Sequence, residues 1–395
     1  MKVTVVGQGY VGLPLAVAAA NSGFTVYGFD VNDEKIASLK EGKSFIEDLS
    51  DQVIKACVDS QRYIPTTDQK IVKDSAIILI CVPTPLSDDH KPDLSALISA
   101  TTAVGKNLMG GSLVIIESTI EPGTCRTTLL PILIQESGLT EGAFDLAYSP
   151  ERIDPTNKKW GITNTPKLVA GLTDNAAKRA EEFYGKFIEL IIVCSSLEIA
   201  ETAKLLENSF RLVNISFINE LAIFCQKIGI NVTEVISAAA SKPYGFMPFY
   251  PGVGVGGHCI PVDPIYLANA AKAVGAPSRF IELADQINQE MPGYFVGRAE
   301  EKIGGLQAKK VLVVGVSYKP NVADMRESPV ESLITGLKQK GAQVSWHDDL
   351  VKKWNGENSV ALSSGFDLAI IATPHDYLDL SKLGNMPILN TRGSI

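Results

Sequence analysis

Val3-Thr4-Val5-Val6-Gly7-Gln8-Gly9-Tyr10-Val11-Gly12-Leu13-Pro14 joins a β-rich run, a glycine turn and the opening of a small-residue helix. A lone G-x-G-x-x-G turn is a weak signal, but its surroundings agree with it here. A strand precedes it, Leu15-Ala16-Val17-Ala18-Ala19-Ala20 continues the helix, and Val26-Tyr27-Gly28-Phe29 makes a second strand ending on Asp30. Glycines let a pyrophosphate approach the backbone at a helix N-terminus, and a carboxylate after the second strand suits ribose hydroxyls. The same acid disfavours a 2′-phosphate, so the expected dinucleotide is NAD rather than NADP. The competing reading is a glycine turn that only packs helix on strand.

Working outward, Ala76-Ile77-Ile78-Leu79-Ile80-Cys81-Val82 is a continuous apolar run, as expected of a buried parallel strand, and it ends in Pro83-Thr84-Pro85. Ser112-Leu113-Val114-Ile115-Ile116 is another, ending in Glu117-Ser118-Thr119. Ligands in open α/β sheets sit at the carboxyl ends of such strands, which makes Thr84 and Thr119 candidate contacts, although turn threonines look the same. Asp145-Leu146-Ala147-Tyr148 leads into Ser149-Pro150-Glu151-Arg152 and brings a carboxylate to the same edge, as a site acid or a surface one.

From about Leu197 the periodicity becomes that of a long helix running to Gly229, with Ile230 to Lys242 continuing helically. Lys204, Asn208 and Arg211 stand at i, i+4 and i+7 and share one face. Spacing alone slightly favours a solvated polar face, while the apolar richness of the rest points to a buried helix. Gly252-Val253-Gly254-Val255-Gly256-Gly257-His258-Cys259-Ile260-Pro261-Val262-Asp263-Pro264 follows. Its glycines leave backbone for a ligand to press against, and it presents the Cys259 thiol beside an imidazole and four residues before a carboxylate. A cysteine is a nucleophile only as thiolate, and the alternative is a buried, inert thiol. Ala276-Pro277-Ser278 opens a second long helix toward Ile303; two such helices suit a spine and a dimer surface.

Lys309-Lys310-Val311-Leu312-Val313-Val314-Gly315 starts a second strand-glycine unit, in which Val344-Ser345-Trp346-His347-Asp348 echoes Val26 to Asp30. The glycine fingerprint is missing there. Ser317-Tyr318-Lys319-Pro320-Asn321-Val322-Ala323-Asp324-Met325-Arg326 stands in its place, a basic loop suited to the phosphates of a different nucleotide. The expected fold is α/β: two doubly wound, Rossmann-like parallel-sheet domains joined by a central helical domain with a long helix.

With 395 residues, 45% hydrophobic and 20% charged, the chain reads as a soluble multidomain protein. A net charge of −8 argues against nucleic acid or an acidic membrane surface as partner. The amino terminus enters a strand directly, and no apolar run approaches the roughly eighteen residues of a spanning helix, so a cytoplasmic location is expected. Six cysteines and four histidines, all scattered, predict neither a disulfide framework nor a metal site.

Tyr10 to Pro14, the run Gly256 to Pro264, and Lys319-Pro320 through Asp324, Arg326-Glu327-Ser328-Pro329 together resemble the UDP-glucose/UDP-N-acetylhexosamine 6-dehydrogenase family, in the right order over essentially the whole chain. Ser149-Pro150-Glu151-Arg152, His258, and Lys242-Pro243-Tyr244-Gly245-Phe246-Met247-Pro248 onward are similar to its N-acetylhexosamine branch, most of all to the UDP-N-acetylglucosamine enzymes. Asn390 departs from the pattern, which usually has aspartate there. The resemblance implies an NAD-binding domain at 1–196, a central helical domain with the cysteine loop at 197–304, and a UDP-binding domain at 305–395. It further implies a four-electron oxidation of a UDP-sugar C6 alcohol, for polysaccharide precursors, through a thioester on Cys259.

By the same resemblance Lys204 and Asn208 bind the C6 oxygen, Asp263 works with Lys204 in proton transfer, and Glu151 with Thr119 serves hydrolysis. Gly7, Gly9, Tyr10, Val11, Gly12, Asp30, Lys35, Thr84, Thr119 and Arg326 are implied to contact NAD. Glu151, Arg152, Lys204, Asn208, Arg211, Phe249, Tyr250, Gly252, Gly257, His258 and Lys319 are implied on the UDP-sugar, and a homodimer through the central helices. UDP-N-acetylglucosamine is the expected substrate, with a UDP-glucose or UDP-N-acetylmannosamine 6-dehydrogenase as the alternative; the more distant rivals are a two-electron dehydrogenase of the hydroxyacid kind and a non-catalytic nucleotide sensor.

Overall fold

The computed structural model describes residues 1–46, 49–154, 157 and 159–393. Contacts group the chain into two compact units, Met1–Leu206 and the residues from Glu207 onward.

In the first unit the elements run β1 (Lys2–Val6), α1 (Gly12–Asn21), β2 (Thr25–Phe29), α2 (Asp33–Lys40), α3 (Asp51–Asp59), β3 (Tyr63–Thr66), β4 (Ile77–Ile80), α4 (Ser95–Gly105), β5 (Leu113–Ile116), α5 (Leu130–Ser137), β6 (Asp145–Tyr148), β7 (Lys167–Gly171), α6 (Asp174–Tyr184) and β8 (Ile191–Val193). They form one eight-stranded sheet in the order β3-β2-β1-β4-β5-β6-β7-β8. Every residue of β4 and β5 is buried, because helices cover both faces, and this is why their sequences are apolar without alternation. One core gathers Leu13, Ile36, Ile54 and Phe183 from α1, α2, α3 and α6; the other gathers Leu97, Val104 and Leu133 from α4 and α5. The strand order reverses between β1 and β4, the switch point where ligands bind in such sheets. One pairing breaks the parallel rule: β7 runs antiparallel to β6, with Tyr148 opposite Ala170.

α7 (Leu197–Lys227) follows, its residues up to Leu206 belonging to the first unit. The second unit adds α8 (Val232–Ala240), α9 (Asp263–Ala273), α10 (Arg279–Ile303), β9 (Lys310–Val314), α11 (Val330–Gln339), β10 (Gln343–His347), the short hairpin β11 (Lys353–Trp354) and β12 (Glu357–Asn358), β13 (Leu368–Ile371) and β14 (Ile388–Asn390). Its parallel sheet has the order β10-β9-β13-β14, the same winding as β2-β1-β4-β5.

Two helical expectations need correction. The helix expected to continue from Ile230 breaks: Gly229 takes φ +74°, and Asn231 caps a separate α8 by accepting a hydrogen bond from Thr233 N at 2.8 Å. The exit of the cysteine loop, read as loop, is the start of α9, where Pro264 fits a first turn that needs no N–H donor.

Candidate active site

The glycine turn of the first unit is built around one open position. A Cβ on Gly7 would strike the Cys81 carbonyl and one on Gly12 the Gly7 carbonyl, so both glycines are required by packing. A Cβ on Gly9 would meet nothing within 4 Å, and that is the space a pyrophosphate needs. α1 starts without a side-chain cap, its Leu13 N donating to Gly9 O at 3.1 Å, and a helix N-terminus so placed favours an anion. Asp30, buried, accepts from Gln8 N at 2.8 Å, Asn32 N at 3.0 Å and Lys35 Nζ at 2.8 Å. Burial works against its charge, but the Lys35 ammonium and the two amides outweigh it and hold the carboxyl below its ordinary range. Gln8 is a strut, bridging Tyr63 OH at 2.7 Å and the Val5 carbonyl at 2.8 Å. These residues fit a dinucleotide with free ribose hydroxyls. Tyr10 is exposed and Val11 half-buried beside them.

At the carboxyl edge, Ser118 laces the loops after β4 and β5 together, accepting from Val82 N at 3.0 Å and donating to Val82 O at 2.7 Å. Thr84 is buried and Thr119 half-buried on these loops. Glu151 Oε1 accepts from Arg152 N at 2.6 Å and Ile153 N at 2.7 Å, while Arg152 Nη1 donates to Pro166 O at 2.8 Å. Beneath them lie two charges that sequence reading missed. Lys167 Nζ sits 2.8 Å from Glu117 Oε2 and 3.7 Å from Glu151 Oε2. Burial pushes the Glu117 carboxyl up to about 7, against the pull of Lys167. The only trace in the sequence is that Glu117 closes an apolar run and Lys167 opens one.

Glu201 was missed as well. It is fully buried on α7 and accepts from Gly123 N at 2.5 Å and Cys125 N at 3.1 Å, tying the helix to the turn after Thr119. One turn further on, Lys204 is buried, as is Asn208, whereas Arg211 is exposed. The polar stripe is therefore a buried one for its first two members, and the solvated-face reading holds only for Arg211.

In the second unit Cys259 is the exposed thiol; Cys57, Cys81, Cys125 and Cys225 are buried and Cys194 is half-buried. Its carbonyl accepts from Asp263 N at 2.9 Å, forming the turn that launches α9. Asp263, 3% exposed, accepts a 2.6 Å hydrogen bond on Oδ2 from Asn208 Nδ2. The glycine loop is pinned along its length: Gly252 N donates to Asn219 Oδ1 at 3.0 Å, Val255 N to Asn288 Oδ1 at 2.6 Å and Gly257 N to Arg326 O at 3.0 Å. A Cβ on Gly257 would lie 2.7 Å from the Tyr318 ring, so this glycine serves the approach of the protein's own basic loop; Gly252, with nothing within 4 Å, leaves open space. Burial and then the Arg326 charge lower the pKa of His258, favouring a neutral imidazole. Arg326 is itself exposed and bidentate to Asp324, at 3.0 and 2.6 Å. Lys319 and Phe249 are half-buried, and Tyr250 is exposed.

Three domains of one family match in sequence: the NAD binding domain of the UDP-glucose/GDP-mannose dehydrogenase family over residues 1–188, its central domain over 198–290 and its UDP binding domain over 312–390. A UDP-N-acetyl-D-glucosamine 6-dehydrogenase of Pseudomonas aeruginosa is 33% identical over 99% of this chain and 93% of its own. A UDP-N-acetyl-D-mannosamine dehydrogenase of Pyrococcus horikoshii is 35% identical over 95% of this chain and 90% of its own. The solved structure of a UDP-D-ManNAc dehydrogenase from P. horikoshii superposes with a TM-score of 0.91 at 33% identity, covering 99% of this chain and 95% of that one. An NAD-fitting glycine turn, an exposed thiol on a pinned loop and a match running through all three domains have one explanation: the chain belongs to the UDP-glucose/GDP-mannose dehydrogenase family and is an NAD-dependent UDP-sugar dehydrogenase.

Proposed function

We propose that the chain oxidises the C6 alcohol of a UDP-N-acetylhexosamine, UDP-N-acetylglucosamine before others, to the uronate in two successive oxidations, as a precursor for a surface polysaccharide. The observation that carries the reading is Cys259, an exposed thiol at a rigid turn whose amide partner, Asp263, is buried on Asn208. A two-electron dehydrogenase has no use for such a thiol. Bound NAD supplies the hydride acceptor for both oxidations. Lys204 and Asn208 hold the C6 oxygen and stabilise the negative charge that gathers on it, and Asp263 with Lys204 passes on the alcohol proton through a water. The Cys259 thiolate then adds to the aldehyde carbon, and oxidation of the thiohemiacetal leaves a thioester. Glu151, with Thr119, takes a proton from the water that attacks this thioester; the C–O bond forms, the C–S bond breaks and the thiol returns. Lys319, His258, Gly257 and the segment from Phe249 to Gly252 receive the UDP-sugar, with Arg152 and Arg211 as outlying cations, while Arg326 reaches NAD.

UDP-N-acetylmannosamine is the second reading, and its support is specific: the P. horikoshii relative and structure bear that name at 35% and 33% identity. Both readings share an acetamido group. We further propose three functional domains, 1–196, 197–304 and 305–395, a cytoplasmic location, and a homodimer. Support for the dimer is apolar surface left open on two helices: Leu206, Phe210, Phe217 and Phe224 of α7 are 46–60% exposed, and Phe280 of α10 is 78% exposed. The deciding experiment counts NADH per UDP-sugar consumed with UDP-N-acetylglucosamine, UDP-N-acetylmannosamine and UDP-glucose in parallel. About two NADH and an acidic product support the thioester route, and the preferred sugar fixes the substrate. One NADH with a stable aldehyde refutes the role of Cys259, and binding with no NADH from any sugar leaves a nucleotide sensor.

A further inference from the structure

β7, the strand that breaks the parallel order of the first sheet, has a chemical consequence. Parallel strands bring their last residues to the edge where ligands bind, whereas an antiparallel neighbour brings its first. The first residue of β7 is Lys167. Its Nζ lies 2.8 Å from Glu117 Oε2 past the end of β5, 3.3 Å from Pro150 O and 3.7 Å from Glu151 Oε2 past the end of β6. Tyr184 of α6 donates its hydroxyl to the other Glu117 oxygen and sets its ring 5.1 Å from the ammonium. Lys167 is 5% exposed and Glu117 2% exposed. A buried ammonium on its own is strongly disfavoured, and here two carboxylates and a carbonyl compensate it. Burial would discharge Lys167, but the attraction of Glu117 and Glu151 outweighs it and keeps the ammonium charged.

Glu151 is thus approached from both oxygens: two backbone amides hold Oε1, and Lys167 faces Oε2. We propose that Lys167, anchored on Glu117 and Tyr184, is the positioning residue for Glu151, holding its carboxylate in place for hydrolysis of the Cys259 thioester; the inference rests on the role given to Glu151 above. In that step the water oxygen bonds to C6, the C6–S bond breaks, and the water proton passes to Glu151 and then to the departing thiolate, with nothing oxidised or reduced. Lys167 touches no reacting atom. The antiparallel strand is what delivers a cation to an edge that parallel strands furnish with carboxylates.

The test uses the full-length enzyme with NAD and whichever of the three UDP-sugars it turns over, comparing Lys167→Met, Lys167→Arg and Glu151→Gln by NADH transients and intact mass. Lys167→Met is expected to release about two NADH per active site rapidly, then turn over roughly 10- to 100-fold slower with an acyl adduct on Cys259. Lys167→Arg, which keeps the charge, is expected to recover to within about threefold of the parent. A normal steady-state rate for Lys167→Met, or a slow one with a reduced transient and no adduct, overturns the inference, since a merely structural role lowers the amount of active enzyme without stalling deacylation. If Lys167→Met fails to fold, Lys167→Met/Glu117→Gln removes the buried pair together and carries the same expectation. Glu151→Gln separates the two ideas. Normal deacylation in that variant refutes the role of Glu151, whereas an adduct there and none in the lysine variants refutes the role of Lys167.

Discussion

Asp263 and Asp30 are buried acids, each held by hydrogen bonds. Asp263 is 3% exposed and takes a short amide hydrogen bond from Asn208, so replacing that donor with an apolar group removes a hydrogen bond from a buried acid. Asn208→Leu is expected to cost about 2 kcal/mol of stability in urea unfolding and to lower kcat more than it raises KM. At Asp30 the carboxylate is held ionised by Lys35 and two amides at the end of β2, facing the turn that Gly9 leaves open. Asp30→Ser is expected to raise the KM for NAD roughly tenfold and to let NADP become a measurable substrate. A KM for NAD unchanged by that substitution would remove Asp30 from the ribose.

At the scale of elements, α7 explains why spacing alone misjudged a polar stripe. Glu201, Lys204, Asn208, Ser216 and Asn219 are all buried along it, while Leu206, Phe210, Phe217 and Phe224 face outward. α7 buries these polar residues together with Leu205, Leu212 and Ile218, and the apolar row it leaves exposed is, we propose, covered by a second copy. Phe217→Glu is expected to halve the mass seen by light scattering, because it places a charge in the apolar row where two copies would meet. A monomeric parent protein, or an unchanged mass in the variant, argues against this face. In the glycine loop, Gly257 takes φ +80° and is required by the approach of the Tyr318 ring, a cause that local sequence does not record.

For the whole molecule, the internal echo extends to single hydrogen bonds. Gly7 N donates to Phe29 O at 2.8 Å and Gly315 N to His347 O at 2.8 Å; Gln8 N meets Asp30 Oδ2 at 2.8 Å and Val316 N meets Asp348 Oδ2 at 2.9 Å. The units differ in what else the acid holds. Asp30 pairs with Lys35, but Asp348 takes His375 Nε2 at 3.0 Å, and Asn321 N donates to His375 Nδ1 at 2.9 Å, so an imidazole ties the basic loop to the sheet. Burial opposes the Asp348 charge, yet His375 and the Val316 and Val351 amides pull its carboxyl from 3.8 down to about 2. A depressed carboxyl stabilises the fold above its unfolded value and loses that contribution as the pH falls through the folded one. Asp348→Asn is therefore expected to be less stable at pH 7 and to lose less stability than the parent between about pH 4 and pH 2, as urea midpoints would show. A parallel decline in both proteins would exclude Asp348 as a source of acid lability.

The sequence by itself determined what local spacing encodes. The strand-glycine-helix unit with Asp30, the fully apolar central strands, the second unit built on the same winding, and the cysteine loop are each written in neighbouring residues, since turns, strand burial and helix starts depend on the residues within a few positions. Tertiary structure decided what depends on strand order and direction. Lys167 meets Glu117 across 50 residues, and Glu201 grips Gly123 across 78, pairings that no periodicity records. The reversal of β7 put a cation under Glu151, and the fold buried Lys204 and Asn208 on α7 while leaving Arg211 exposed; a charge such as that of Lys167 is held in a protein's interior only where the folded chain brings it a partner.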